Sequence, residues 1–112
     1  MQSAISRIIN RLKDEGRLQQ RHIANIVAVS PETMSRWSCG QAIPDVRTQT
    51  MIARLHFAVE RLADLYTPED VHVWLHAKHP MLNGERAVDF VNLGRTPEVL
   101  ATIDMLDAAA YA

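Results

Sequence analysis

The segment from Gln20 to Gly40 constrains this chain more than any other part of it. It reads as two short amphipathic helices around a tight turn, a helix-turn-helix. Ile23, Ala24 and Val27 fall at i, i+1 and i+4, one apolar face of a short helix. Ala28-Val29 makes the turn, and a small Ala28 suits a point where two helices cross. Ser30 offers an N-cap, and Pro31 takes the first helical position, where its missing N–H is no loss. Met34 and Trp37, three apart, form the inner side of the second helix. Gly40 stops it, and Pro44 prevents continuation. Glu32, Thr33 and Arg36 are then expected to point outward from a helix sized for a DNA major groove.

The rest of the chain carries the same punctuation. A first helix over about 3–15 places Ile5, Ile8, Ile9 and Leu12 on one face and ends at Gly16. Asp45 can cap a long helix reaching about Tyr66, with Met51, Ile52, Leu55, Val59, Leu62 and Leu65 on a helical period. Thr67-Pro68-Glu69-Asp70 is a helix start: threonine caps, proline takes the first position, and acids favour the positive end of the dipole. That helix buries Val71, Trp74 and Leu75 and breaks at His79-Pro80. A loop around Asn83-Gly84 follows, then a short helix over about 86–93 that Gly94 stops. Thr96-Pro97-Glu98 opens a last helix with Val99, Leu100, Ile103 and Leu106 inward. No strand is predicted. The fold class is all-α, with an Xre-like helix-turn-helix domain over 1–50, a connecting helix over 51–66 and a small helical domain over 67–112.

Bulk properties exclude several classes. At 112 residues the chain suits one domain or two packed subdomains. A lone cysteine, Cys39, can form no internal disulfide and fits a reducing cytoplasm. No apolar run approaches the ~20 residues of a membrane span, and the N-terminus lacks a signal-peptide core. Net charge is −1, but its distribution is uneven. Residues 1–54 hold eight Arg/Lys against four Asp/Glu, a balance of +4, whereas residues 55–112 hold four against nine, a balance of −5. A positive front half and a negative rear half suggest two surfaces with different partners. Chance scatter on a solvated surface is the plainer alternative.

For DNA, Pro31, Glu32 and Arg36 can approach base edges, Arg36 bidentately to a guanine. Gln20, Thr33 and Ser35 are placed for phosphate, with Arg47 and Arg54 adding non-specific attraction. The alternative is a helix-turn-helix kept only as scaffold or dimer element. His72, His76 and His79 stand at i, i+4 and i+7, a spacing that can hold zinc. Pro80 and the lack of HExxH favour plain surface histidines. Cys39 has no base fixed near it, and no phosphate loop or GxSxG is present, so no catalytic residue, cofactor or metal is expected. Trp37 and Trp74 read as core, one per subdomain, and Met51, Met81 and Met105 as core or interface filler. The tail ending in Tyr111 and Ala112 is either a frayed terminus or an element that enters a concave site on a partner.

Several of these motifs, taken together, resemble the MbcA/ParS/Xre antitoxins of RES–Xre toxin–antitoxin systems. The resemblance runs from about Gln20 to Ala112. It rests on Val29-Ser-Pro-Glu-Thr-Met-Ser-Arg-Trp37 with Gly40, then Val73-Trp74-Leu75 and Pro80-Met81-Leu82-Asn83-Gly84-Glu85-Arg86. Asp89-Phe90-Val91, Gly94, Val99-Leu100 and Ile103-Asp104 complete it. It implies a non-enzymatic antitoxin that occludes the active-site cleft of an NAD-degrading RES toxin and can bind its own operator. Operator contacts would fall at Gln20, Glu32, Thr33 and Arg36. Toxin contacts would fall at Asn83, Gly84, Glu85, Arg86, Arg95 and the tail Ala110, Tyr111 and Ala112. Here Pro31 has no N–H to give DNA, and Ser38-Cys39 stands where related proteins often carry a charge. The expected partners are the toxin and operator DNA, with a homodimer building a higher hetero-oligomer. The other reading is a stand-alone helix-turn-helix regulator whose rear half only dimerises.

Overall fold

Ser3, Ser30, Asp45 and Thr67 each accept a hydrogen bond from the backbone N–H three residues ahead, and each opens a helix. In the computed structural model, which describes residues 3–110, these are α1 (Ala4–Gly16), α3 (Pro31–Ser38), α4 (Val46–Ala63) and α5 (Pro68–His76). Between and after them lie α2 (Gln20–Val27), α6 (Ala87–Asn92) and α7 (Thr96–Ala110). The fold is all-α in substance, but it includes one small ladder. Strands β1 (Lys78–His79) and β2 (Glu85–Arg86) pair antiparallel, Lys78 opposite Arg86 and His79 opposite Glu85, around a 3-10 turn at Pro80–Leu82. Asn83 and Gly84 close this hairpin with positive φ, 58° and 77°. That is the backbone an Asn-Gly pair supplies at a strand reversal.

Three further local readings are corrected. Gly16 does not stop α1; the left-handed residue is Arg17, φ 53°, and Gly16 remains helical. A Cβ on Gly16 would stand 3.3 Å from Val59 Cγ1 and 3.5 Å from Val71 Cγ1, so glycine lets α1 approach α4 and α5 closely. Ala28 is exposed rather than wedged between helices; it caps α2 in the left-handed conformation, φ 60°. Leu18 and Val29 fold back behind these caps to bond the carbonyls of Leu12 and Ala24. The last helix does not repeat the Thr67 start: Thr96 is its first residue and is buried.

One apolar core runs from Ile5 on α1 to Ile103 on α7. Helix α4 is its axis, packing against α1, α2, α5, α6 and α7. Ile52, Leu55, Ala58, Val59 and Leu62 are fully buried along it, while Leu65, past its end, is half-buried. The segment expected to connect two subdomains therefore lies inside a core that both share. His56 adds a polar clasp, its ring nitrogens 3.2 Å from Glu15 of α1 and 3.1 Å from Glu60.

A single side chain ties the front half to the rear at the end of α2. Asn92 of α6 donates from Nδ2 to the carbonyl of Ile26, 2.8 Å away. This carbonyl belongs to the last turn of α2, where helical partners run out. Asn92→Ala is expected to lower stability by about 0.5–1.5 kcal/mol, the net worth of a typical protein hydrogen bond, in urea unfolding. An unchanged urea midpoint would mean that the tie contributes nothing.

Candidate functional site

The face expected to meet DNA is built by the cap of α3. Ser30 Oγ accepts from Thr33 N–H and donates to Thr33 Oγ1 at 3.0 Å, so Thr33 is half-buried and its hydroxyl is occupied. It does not project outward as Glu32, Ser35 and Arg36 do, all three exposed. Gln20 is exposed at the start of α2, with Nε2 given to Ser38 Oγ at 2.8 Å, which fastens α2 to the end of α3. Met34 and Trp37 are buried beneath.

The cations of the two halves behave differently. Arg11 pairs with Glu15 and Arg17 with Glu69. Among the described residues, Arg7, Lys13, Arg21, Arg36, Arg47 and Arg54 form no ion pair. In the rear half Arg61 holds Asp104 at 2.7 Å and Asp107 at 3.4 Å. Arg86 forks onto both oxygens of Asp89 at 2.9 and 2.8 Å, and Arg95 onto Glu98 at 2.6 and 2.7 Å. Arg95 also lies 4.6 Å over the Phe90 ring. The Arg86 hydrogen bonds hold the Asp89 carboxyl below the usual aspartate range. The front half thus leaves most of its positive charge uncommitted, whereas the rear half pairs its three arginines with its own acids.

The rear residues expected to meet a toxin sit on the hairpin and the helices beside it. Asn83, Gly84 and Glu85 are exposed at the hairpin end, and Arg86 is half-buried. The 3-10 turn packs against α7, which brings the hairpin beside the last helix. Ala110 ends α7 exposed, whereas Tyr111 and Ala112 lie outside the described residues. An apolar component accompanies them: Met81 and Met105, expected as core or interface filler, are exposed, and so are Leu93 and Val73, which sequence reasoning missed. Met81 is 50 % exposed, Leu93 64 %, Val73 63 % and Met105 58 %. Met81 is next to the Asn83 turn and Leu93 next to Arg95 in sequence. For Val73 and Met105 the signal was their position off the buried stripes of α5 and α7; Met81 in the 3-10 turn and Leu93 past α6 had no stripe to be read against.

The histidines do not sit as the i, i+4, i+7 spacing suggested. Helix α5 ends at His76, and His79 moves onto β1, where its Nε2 donates to the Trp74 carbonyl at 2.7 Å. Among the described residues no group of three His, Cys, Asp or Glu could hold a metal ion. His72 and His76 instead meet His22 of α2. Two open cavities flank this meeting point. One of about 420 Å³ is lined by His22, Asn25, His76, Arg86, Asp89 and Asn92. The other, about 410 Å³, is lined by Arg17, Gln19, Arg21, His22, Glu69 and His72. Among the described residues no helix is long and apolar enough to cross a membrane.

No family model matches the chain. Individual relatives do. It is 32 % identical over 106 residues to a probable mycobacterial cidal antitoxin of Mycobacterium tuberculosis, covering 95 % of this chain and 90 % of that protein. It is 27 % identical over 109 residues to the mycobacterial cidal antitoxin MbcA of M. tuberculosis and of Mycobacterium bovis, covering 97 % of this chain and 93 % of the relative. A chain in the crystal structure of the M. tuberculosis MbcT–MbcA toxin–antitoxin complex superposes with a TM-score of 0.83 at 22 % identity, covering 98 % of this chain and 99 % of that one. This last likeness extends the shared fold across both halves.

Proposed function

Because this chain belongs to the mycobacterial cidal antitoxin family, we propose that it is the antitoxin of a toxin–antitoxin pair, acting by occlusion rather than by chemistry. The observation that carries this reading is the extent of the match. Nearly the whole chain aligns, front half and rear half together. A regulator that borrowed only a DNA-binding unit would match over α2 and α3 alone.

The proposed target is the active-site cleft of a RES-domain toxin that degrades NAD. The exposed hairpin residues Asn83, Gly84 and Glu85, with Met81 beside them, supply a projecting, partly apolar surface. Leu93 and Arg95 extend it, and the tail from Ala110 through Tyr111 and Ala112 would enter the cleft. Arg86 and Arg95 arrive already paired, so they would contribute shape and hydrogen bonding more than net charge. The test is co-purification with the neighbouring toxin, followed by NAD turnover. A stable complex with suppressed NAD loss is expected. NAD loss that continues at full rate with the chain bound would reject occlusion.

The same reading assigns the front half to the operator, with the chain acting in the cytoplasm as a dimer and assembling with toxin into a larger complex. Uncommitted Arg36, Arg47 and Arg54 favour phosphate and base contact. Arg36→Ala is expected to weaken operator binding by about 1–3 kcal/mol, the worth of a bidentate guanine contact. A titration at fixed salt reads it, and an unchanged midpoint would remove α3 as the reading helix. The two half-sites would lie about one helical turn apart.

A further inference from the structure

Three imidazoles meet where α2 lies near α5. The His72 and His76 rings stack with centroids 4.3 Å apart, and His22 meets their edges at 5.0 and 5.7 Å. Their protons follow from their partners. The Gln19 backbone N–H can only donate, so His22 Nδ1, 3.0 Å away, accepts, and its ring is neutral. The His72 carbonyl can only accept, so His76 Nδ1, 2.9 Å away, carries a proton. His72 Nδ1 is buried without a partner among the described residues. A second proton on His22 would land on the nitrogen that holds Gln19, where α2 begins, and would release that bond. The new cation would also face two imidazoles at close range.

We propose that these rings form an acid-sensitive latch, closed while neutral, whose protonation loosens the α2–α3 pair from α5. The charged groups around it offer little relief. On the side of the second cavity, Arg17 and Glu69 satisfy each other at 2.8 Å. On the side of the first, Arg86 and Asp89 do the same. Arg21, on α2 itself, is an uncommitted cation beside His22. None of the three rings is among the residues assigned above to toxin or operator, so the latch goes beyond that reading.

The sign of the pH effect follows from His22. Burial first, then His72, Arg21 and His76, hold it below its ordinary 6.5. The unfolded chain therefore takes up this proton at a higher pH than the folded one. Stability is whole above about 6.5 and falls as acidity drives the pH from there towards the lowered value.

His22→Gln separates the latch from the helix cap. Glutamine at this position keeps an acceptor for Gln19, as in an ordinary capping box, but cannot be protonated. Urea unfolding of the full chain at about pH 7.5 and about pH 5.5 gives the comparison. The wild-type folding equilibrium constant is expected to fall roughly threefold to tenfold more than that of His22→Gln. Amide exchange, corrected for its intrinsic pH dependence, should quicken in α2 at the lower pH in wild type only. The same pH loss in both proteins overturns the proposal. Should His22→Gln fail to fold, His72→Gln removes one ring of the cluster without touching Gln19. It is read the same way, and an undiminished acid loss in that variant also overturns the latch.

Discussion

Removing residues 110–112 is expected to weaken protection against the co-expressed toxin strongly while leaving the fold intact. The two effects separate because the core ends earlier in α7. Val99 and Ile103 are fully buried, Leu106 is half-buried, and positions 108–110 are exposed. Among the described residues, truncation there takes away only exposed Ala110, at the end of one helix. On the toxin the loss is large. A tyrosine that buries about 150–250 Å² at ~25 cal/mol per Å² supplies roughly 4–6 kcal/mol before the costs of ordering. Affinity should therefore fall at least about tenfold, a difference of ~1.4 kcal/mol or more. Calorimetric titration of purified toxin, beside a thermal melt of the free truncated chain, reads both. Full protection by the truncated protein would leave the tail without a role.

Leu55→Ala is expected to cost about 2–5 kcal/mol, because the site is closed on all sides and the cavity cannot collapse well. Leu55 is completely buried on α4. That loss is a large share of a stability of ~5–15 kcal/mol. It is also expected to strike both halves at once. Trp37 on α3 and Trp74 on α5 are intrinsic reporters of the front and the rear. With Leu55→Ala introduced into Trp37→Phe and Trp74→Phe backgrounds, the remaining tryptophan in each should report the same fall in stability. A destabilised front with an unaltered rear would show two cores instead of one.

The helix starts were legible because their cause is local. Ser30-Pro31 and Thr67-Pro68 each place an acceptor within three residues of the N–H it satisfies, and both produced a helix where expected. The buried stripes of α4 and α5 were legible for the same reason, since period alone selects them. What escaped was set by partners far along the chain. Gly16 stays helical and packs against Val59 and Val71, more than forty positions away, while Arg17 takes the left-handed cap. His22 belongs with His72 and His76, which no spacing rule relates. The hairpin was missed because strands of two residues carry no alternation to read. Asn83-Gly84 was its only local trace. On the candidate site, Arg86–Asp89 and Arg95–Glu98 stand three apart and can be paired by eye. The side-chain entanglement of Gln20 with Ser38, and of Thr33 with Ser30, depends on how the turn closes.

Helix α4 touches elements of both halves, and this limits how such a protein can be rearranged. A regulator whose modules hang on an inert tether can be cut at the tether and fused to new modules. This chain has no such seam, since severing it within 46–63 would expose the interior of both fragments. A chimera that exchanges toxin specificity must carry over a matching α4, or rebuild the faces of α1 and α7 that enclose it. Changing one recognition surface without disturbing the other is then a matter of outward-facing positions, never of swapped segments.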